Sequence, residues 1–286
     1  MTADLAYGAE GAEVRTLQMQ LLALGYHLPR WGADGVLGDE TLMAVAALRH
    51  DRNLGTIGDE IPRTVPGDIR DAIKKLYDEA ALVPVVPVIR DLRAAHLGDQ
   101  QRGIRPWSAV TGIMLHQTAG LIGETPAHWF HIACHIGITR GGQILVLNAL
   151  DTVIWHGNSL NRSDIGVEID GYFEGIEGKP GTLWRPPNKP DLVALTPSAV
   201  QLEACRVAVK WIVGEVASAG GSIGFIHAHR QASNQRQSDP GSRIWQEIGL
   251  WAREDLGLSD GGKDFAVGSG LRIPEAWDPE RTGIAY

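Results

Sequence analysis

Cysteine is nearly absent from this sequence, with two residues in 286, Cys134 and Cys205. Two thiols so far apart, with no C-x-x-C step, exclude a disulfide framework and a zinc ribbon, and lone cysteines of this kind usually pack as small hydrophobes. An excess of positive charge is missing too. Twenty-six Lys and Arg face 34 Asp and Glu, a formal net charge of -8, which argues against nucleic acid as a main partner because a phosphate backbone calls for the opposite sign. No apolar run reaches the roughly 18 to 20 residues that span a bilayer. The opening MTADLAYGAEGAEV carries Asp4 and no basic region ahead of an apolar stretch, so it does not read as a secretory signal. What is present is an ordinary globular composition, 44% hydrophobic and 21% charged. Its length allows about two domains.

The first segment has a helical period. Val14, Leu17, Leu21 and Leu24 recur at steps of three and four and predict one buried stripe, ending at Gly25. After the turn-rich PRWGADG, a second helix is expected to start at Asp39 or a neighbour and to bury Leu42, Val45, Ala46 and Leu48; a third pattern runs over 68–82. Residues 1–82 therefore read as a small all-α helical bundle. The order Gly11, Val14, Leu17, Gln18, Leu21, Gly25, Tyr26, then Asp34, Gly35, Gly38, Thr41, Ala44 and Val45 resembles the peptidoglycan-binding repeat fused to many cell-wall hydrolases. The alternative is a plain helical hairpin used for docking or dimerisation.

VPVVPVIR at 83–90 spaces two prolines among valines, which favours an extended connector and sets the domain boundary. Beyond it, strand-length apolar runs (AVTGIMLHQT, IGITRGGQILVLNAL, DIGVEID, SIGFIHAH) alternate with helical stretches (ETPAHWFHIA and TPSAVQLEACRVAVKWIVGEVASA). This is an α/β pattern over residues 83–258. In the long helix Thr196 is the expected cap, Pro197 the first-turn residue, and Leu202, Cys205, Val209, Ile212 and Val213 the apolar face. Residues 259–286 form a tail rich in Gly, Pro and charge, with Trp277 and Tyr286 as candidate anchors and no readable role.

Ten histidines are present, and their positions matter more than their number. His116 closes the apolar run IMLHQT, so a strand would deliver its imidazole to the end of a sheet. His229 closes GFIHAH. Asp239 follows ten residues later in SDPG, where Pro240 and Gly241 impose a turn. Two neutral imidazoles and a carboxylate leave a fourth position for water, as a catalytic zinc needs. His227 and His229 are two apart and would share a strand face, so alternation does not choose between them.

From about residue 109 to 250 the sequence resembles the type 2 family of zinc-dependent N-acetylmuramoyl-L-alanine amidases, which share a fold with phage lysozyme-like amidases and peptidoglycan recognition proteins. Four blocks carry the likeness in order: IMLHQTAG, CHIGITRGGQILVLNALDTVIWHGN, SDIGVEIDG and HAHRQASNQRQSDPG. The resemblance implies a central mixed β-sheet flanked by helices, and a Zn²⁺ held by His116, His229 and Asp239, with the ten-residue step to the DPG turn selecting His229. It implies Glu168 as the general base. Asp170, two residues on, is expected to hold the loop after it. Many members carry a lysine two residues before the last ligand as an oxyanion stabiliser; here that place is Gln237, with Arg236 beside it. His135 is expected to border the zinc pocket or touch substrate. Trp155 and His156 resemble a groove-lining loop, with core packing an equal alternative for the tryptophan. A shared metal site of His128, His131 and His135 is not expected.

The implied substrate is bacterial peptidoglycan, cut between N-acetylmuramic acid and L-alanine, with the N-terminal module tethering the enzyme to the polymer. Two alternatives stand beside it: a peptidoglycan-recognition protein that binds without cutting, and a cytoplasmic amidase that recycles muropeptides. The wall-binding module favours intact polymer, while the start of the chain reads as cytoplasmic. A phage lysin released through a membrane lesion of the holin type reconciles the two, as does an effector exported by a dedicated machine; the lysin is the favoured reading.

Overall fold

The computed structural model describes residues 2–24, 26, 28, 31–55, 62–82, 87–95, 101–186 and 192–286. Contacts group the chain into two units, Met1–Pro84 and Val85–Tyr286.

In the first unit a short strand β1 (Leu5–Ala6) pairs antiparallel with β2 (Thr64–Val65), and three helices follow the predicted periods: α1 (Ala12–Ala23), α2 (Asp39–Asp51) and α3 (Gly67–Leu82). Val14, Leu17 and Leu21 of α1 meet Leu42, Val45 and Leu48 of α2 and Ile69 and Ile73 of α3 in one cluster. Ala46 is only half-buried. The helix end expected at Gly25 lies outside the described residues. Helix α2 has no side-chain cap, but Asp39 and Glu40 sit in its first turn and Arg49 and His50 in its last, each sign at the favourable end of the helix dipole.

The polar centre of this unit is Gln18, buried on α1. Its Nε2 lies 2.8 Å from Asp34 Oδ1, 3.0 Å from Val36 O and 3.0 Å from Thr41 Oγ1, while its Oε1 accepts from Gly35 N at 2.7 Å. Gln18, Asp34, Gly35 and Thr41 are scattered in sequence yet meet here, because one amide ties the turn before α2 to α1.

The second unit is a mixed α/β structure built on a six-stranded sheet. Its strands are β3 (Ile89–Asp91), β5 (Gly112–Gln117), β6 (Ile136–Ile138), β7 (Ile144–Val146), β9 (Asp164–Ile169) and β10 (Phe225–Ala228), after β4 (Gln101–Ile104) and β8 (Thr152–Ile154), which form a separate antiparallel pair. The sheet order is β10-β5-β9-β6-β7-β3, parallel throughout except for the β6–β7 hairpin. Part of the expected 83–90 connector, residues 83–86, lies outside the described residues; Ile89 and Arg90 belong to the edge strand β3.

Alternation along the strands sorts the two faces. Ile113, Leu115, Ile165, Val167, Ile169, Ile226 and Ala228 share one core with the apolar stripe of α4 (Ala199–Ser218), which includes Leu202, Cys205, Val209 and Ile212. The intervening Met114, His116, Gly166, Glu168 and His227 take the other face. Helix α4 is capped not by Thr196 but by Ser198, whose hydroxyl accepts from Gln201 N. Pro197 therefore precedes the cap. The stretch around ETPAHWFHIA forms only a 3₁₀ helix, Pro126–His131. Cys134 and Cys205 are free and buried.

The chain then runs through α5 (Ser242–Ile244), a π-turn (Trp245–Gly249) and α6 (Leu250–Leu256). The segment set apart in the sequence as a tail belongs to this unit, with Ile273 and Trp277 inside its main core. Among the described residues no helix is long and apolar enough to cross a membrane.

Replacing Gln18 with Ala strands the buried Gly35 N–H and Thr41 hydroxyl, each costly when unsatisfied. The expected loss is about 2 kcal/mol of local stability, seen as faster amide hydrogen exchange across α1 and α2 of the full chain with no change in the second unit.

Candidate metal centre

The register of two parallel strands starts the site. His116 on β5 lies directly beside Glu168 on β9, both near the carboxyl ends of their strands and on the face turned away from α4. His229 comes from the far side of β5. Strand β10 stops at Ala228, and the chain turns into a 3₁₀ helix, His229–Gln231. A second 3₁₀ turn, Asn234–Arg236, brings it back to Asp239. The Asp239 carboxylate is pinned to β5, its Oδ1 accepting from Gln117 N at 2.8 Å.

Three donor atoms then converge. His116 Nδ1 lies 2.9 Å from His229 Nδ1 and 3.9 Å from Asp239 Oδ2, and His229 Nδ1 lies 3.0 Å from Asp239 Oδ2. All three residues are buried. Zinc bonds of about 2.0 to 2.2 Å in a tetrahedron need donors roughly 3.4 Å apart, and the observed separations bracket that value.

The hydrogen-bond chain behind the donors decides what they present. His156 Nε2 lies 3.1 Å from the Asp164 carbonyl oxygen, which only accepts, so this nitrogen carries the proton. His156 Nδ1 is then an acceptor, and His116 Nε2, 3.0 Å away, must donate to it. That leaves the lone pair of His116 on Nδ1. In the same way His229 Nε2 donates to Asn158 Oδ1 at 2.8 Å and leaves its lone pair on Nδ1. Two lone pairs and a carboxylate oxygen thus face one another with no proton between them. A cation at their centre would resolve this, and imidazole–carbonyl and imidazole–amide pairs are the kind of outer partner that orients histidines toward a metal.

Burial reinforces the neutral forms. It holds the His116 imidazole well below its usual pKa, helped by His229 and His156, and lowers His156 to about 4. Glu168 moves the other way: burial, then the Asp239 carboxylate, push it well above the usual range, while Arg236 opposes the shift. Glu168 Oε1 is 3.9 Å from His116 Nδ1, and among the described residues its Oε2 is buried without a hydrogen-bond partner.

These groups open on a cavity of about 210 Å³ lined by Trp155, His156, Glu168, Trp184, His229, Gln235, Arg236, Ser238 and Asp239, among others. Trp155 is 67% exposed, with the Arg102 guanidinium 5.1 Å from its ring centre. A larger concavity of about 710 Å³ belongs to the first unit, lined by Tyr7, Trp31, Val36 and Met43 among others, and holds none of these donors.

The structure brings together His116, His229, Asp239, Glu168, Trp155 and His156. It does not bring in Gln237, which is absent from the cavity lining; its carbonyl accepts from Arg230 Nη1 at 2.6 Å, and the cation at the cavity is Arg236. Gln237 follows the 3₁₀ turn Asn234–Arg236 directly. His135 is buried with both ring nitrogens engaged, Nε2 on Thr152 O at 2.8 Å and Nδ1 accepting from Gly166 N at 2.9 Å, so it offers substrate no free atom. Its ring meets His156 edge-on at 5.5 Å. His227 turns away to Asp164 Oδ2 at 2.7 Å. Asp170 does hold a loop, but the one at 118–123, through Ile122 N, Gly123 N and Thr118 Oγ1. His128 meets the Ile122 carbonyl at 3.2 Å and takes no part in the donor cluster.

Sequence reasoning missed Asn158 and the Asp164 carbonyl. Asn158 sits at φ 55°, in the left-handed region where Asn is among the few tolerated side chains, so a Gly-Asn pair after the histidine was a usable signal. The backbone carbonyl left none.

Residues 106–242, which contain all three donors and Glu168, match the family described as N-acetylmuramoyl-L-alanine amidase. The chain is 42% identical over 60 residues to N-acetylmuramoyl-L-alanine amidase CwlL of Bacillus licheniformis, a stretch that is 21% of this chain and 17% of that protein. The chain therefore spans less than a fifth of the length of that curated relative. Among solved structures, N-acetylmuramoyl-L-alanine amidase LysC from Clostridium intestinale aligns with 61% of this chain and 100% of its own, at 14% identity and a TM-score of 0.40. Drosophila PGRP-LB aligns with 61% and 99%, at 16% identity and a TM-score of 0.43.

Asn158→Leu removes the acceptor that fixes the His229 tautomer. The expected result is a divalent-cation affinity weaker by about 10 to 100-fold in a calorimetric titration, with circular dichroism unchanged.

Proposed function

We propose that this chain is a zinc-dependent N-acetylmuramoyl-L-alanine amidase that hydrolyses the amide bond between the lactyl group of N-acetylmuramic acid and the L-alanine of the peptidoglycan stem peptide. The observation that carries the reading is the convergence of two imidazole nitrogens and a carboxylate oxygen beside a half-buried Glu168 with one partnerless oxygen, inside the segment that matches the amidase family. A two-nitrogen, one-oxygen donor set suits zinc, and three protein donors leave room for water. When bound there, zinc polarises the scissile carbonyl and makes its water acidic near neutral pH.

The remaining roles fall to the chain itself. Glu168 is placed to take a proton from the attacking water and pass it to the leaving amine, and its raised proton affinity suits both halves of that task. Arg236 brings positive charge to the same cavity and is proposed to steady the oxygen that becomes negative as the carbonyl is attacked, the role the resemblance assigned to Gln237. Trp155 and Trp184, both exposed at the cavity, offer ring faces to sugar or peptide. His156 acts through His116. Residues 1–82 are proposed as the peptidoglycan-binding module that tethers the enzyme to the wall, where it acts.

Purified protein should release stem peptides with a new L-alanine amino terminus from cell wall, identified by fragment mass. It should stop after chelation and resume with zinc; cleavage at another bond, or activity resistant to chelation, would overturn the reading. Glu168→Gln should lower kcat by about 10² to 10⁴-fold while zinc binding persists. A protein that only binds wall has no turnover to lose.

Arg236→Ala should lower kcat by about 10²-fold, with Arg236→Lys recovering part of it, whereas Gln237→Ala should stay within about two-fold of the parent. The reverse order would return the oxyanion role to Gln237.

A further inference from the structure

The amidase match ends at residue 242, and the chemistry proposed above uses nothing beyond Asp239. Yet residues 259–286 make many directed contacts with the loop that carries two of the three donors. Leu271 N donates to Arg230 O at 2.7 Å and Val267 N to Gln231 O at 2.8 Å. Gln231 Nε2 donates to Asp260 O at 2.9 Å, and Arg230 Nε to Arg272 O at 3.0 Å. Ser233 and Ser269 form a parallel bridge. The approach is so close at Gly270 that an added Cβ would run into the Gln231 carbonyl.

Arg230 is the centre of these contacts. It follows the donor His229 directly and is 1% exposed. Its backbone N donates to Asp239 O at 3.1 Å and its Nη1 to Gln237 O at 2.6 Å, so one residue spans both ends of the loop from His229 to Asp239. The guanidinium lies 5.0 Å from the ring centres of both Trp277 and Tyr286. Burial lowers its pKa only to about 10, which leaves it charged at neutral pH. The tail that supplies the two rings is itself fastened: Trp277 Nε1 donates to Gly175 O, and Arg281 joins Asp260 to Asp278, which Arg253 also holds.

We propose that residues 259–286 are a clamp that sets the spacing of the donors His229 and Asp239, with Arg230 as the positioning residue through which the clamp acts. Metal affinity then depends on a segment that touches no metal. This rests on reading His116, His229 and Asp239 as a metal site. Apolar filling of the core by Ile273 and Trp277 would explain a stabilising tail, but it does not require a guanidinium that bonds at once to the Gln237 carbonyl of the donor loop and to the Arg272 carbonyl of the tail. An aromatic pair gripping a cation fixes where those bonds point.

The test compares full-length wild type, Arg230→Met, Tyr286→Ala and, as a control on the opposite face of the sheet, Val209→Ala. Each is stripped of metal, and zinc affinity is read by competition with a chromophoric chelator, with Tm measured in parallel. The clamp predicts uptake of zinc by wild type, affinity weaker by about 10 to 100-fold in Arg230→Met and Tyr286→Ala, and affinity within about two-fold of wild type in Val209→Ala despite a comparable loss of Tm. Wild-type affinity in both clamp variants would overturn the proposal, as would an equal loss in Val209→Ala. Should Arg230→Met fail to fold, Tyr286→Ala decides alone. No zinc uptake by wild type would instead overturn the metal reading itself, and the clamp's function with it.

Discussion

The arrangement of the second unit depends on one proton that has nowhere else to go, the proton on His156 Nε2. A backbone carbonyl can only accept, so the Asp164 oxygen fixes that proton, and through it the tautomers of His156 and then His116. Much of the neighbouring structure keeps this carbonyl in place. Arg105 Nη2 donates to the same oxygen at 2.9 Å and to Leu150 O at 3.1 Å, and its Nη1 to Asn161 O at 3.1 Å. The Asp164 side chain is held by Ser163 Oγ and by His227, whose ring is stacked between Phe225 and Phe265 with centroids 5.6 and 4.9 Å away. Gly166 completes the fit: a Cβ there would sit 2.6 Å from His156 Cγ, so only glycine lets the imidazole lie against the strand.

This accounts for so many buried histidines in so small a volume. A charged imidazole sealed from water is costly, and four close together would repel one another. Burial instead keeps His135, His156 and His116 neutral, their donor nitrogens pairing with Thr152 O, Asp164 O and His156 Nδ1 in turn, while His229 Nε2 meets Asn158 Oδ1. The acceptor nitrogens of His135 and His156 are also satisfied from within the protein. Those of His116 and His229 face each other and the Asp239 carboxylate, with Glu168 Oε1 3.9 Å from His116 Nδ1. The frustration is thereby confined to one spot, where a cation removes it.

Much of this was legible from the sequence, for physical reasons that also mark where reading stops. Apolar alternation located the strands, and His116 and Glu168 became neighbours because β5 and β9 pair in register. The choice between His227 and His229 was open because alternation assumes a continuing strand; β10 ends at Ala228, and the turn sends the two imidazoles to different partners. The same kind of turn leaves Gln237, the place of the family's lysine, outside the cavity lining and puts Arg236 in it. Ser198 displaced Thr196 as a cap because both residue types can cap, and only the chain's approach to the helix decides between them. Gln18 was visible as part of a pattern, but its four polar partners, three from the turn at Asp34–Val36 and one from Thr41 on α2, follow from how that turn packs on α1, which no spacing rule foretells.

The tail was opaque for a different reason. Its contribution lies in backbone amides and carbonyls, which every residue carries, and in two aromatic rings with no periodic neighbours. Its position follows from the loop it braces. Between His229 and Asp239 the chain makes two short 3₁₀ turns, and Asn234 through Gln237 are exposed. Such a segment buries little apolar area of its own, so its backbone order must come from outside contacts. Two donors on a loosely held loop would each be present yet wander by fractions of an ångström, and a metal site loses affinity when its donors must be ordered on binding. A buried guanidinium that bonds to one end of the loop, adjoins the other and is held between two rings supplies that order in advance, which is why a segment beyond the chemistry belongs to its physical account.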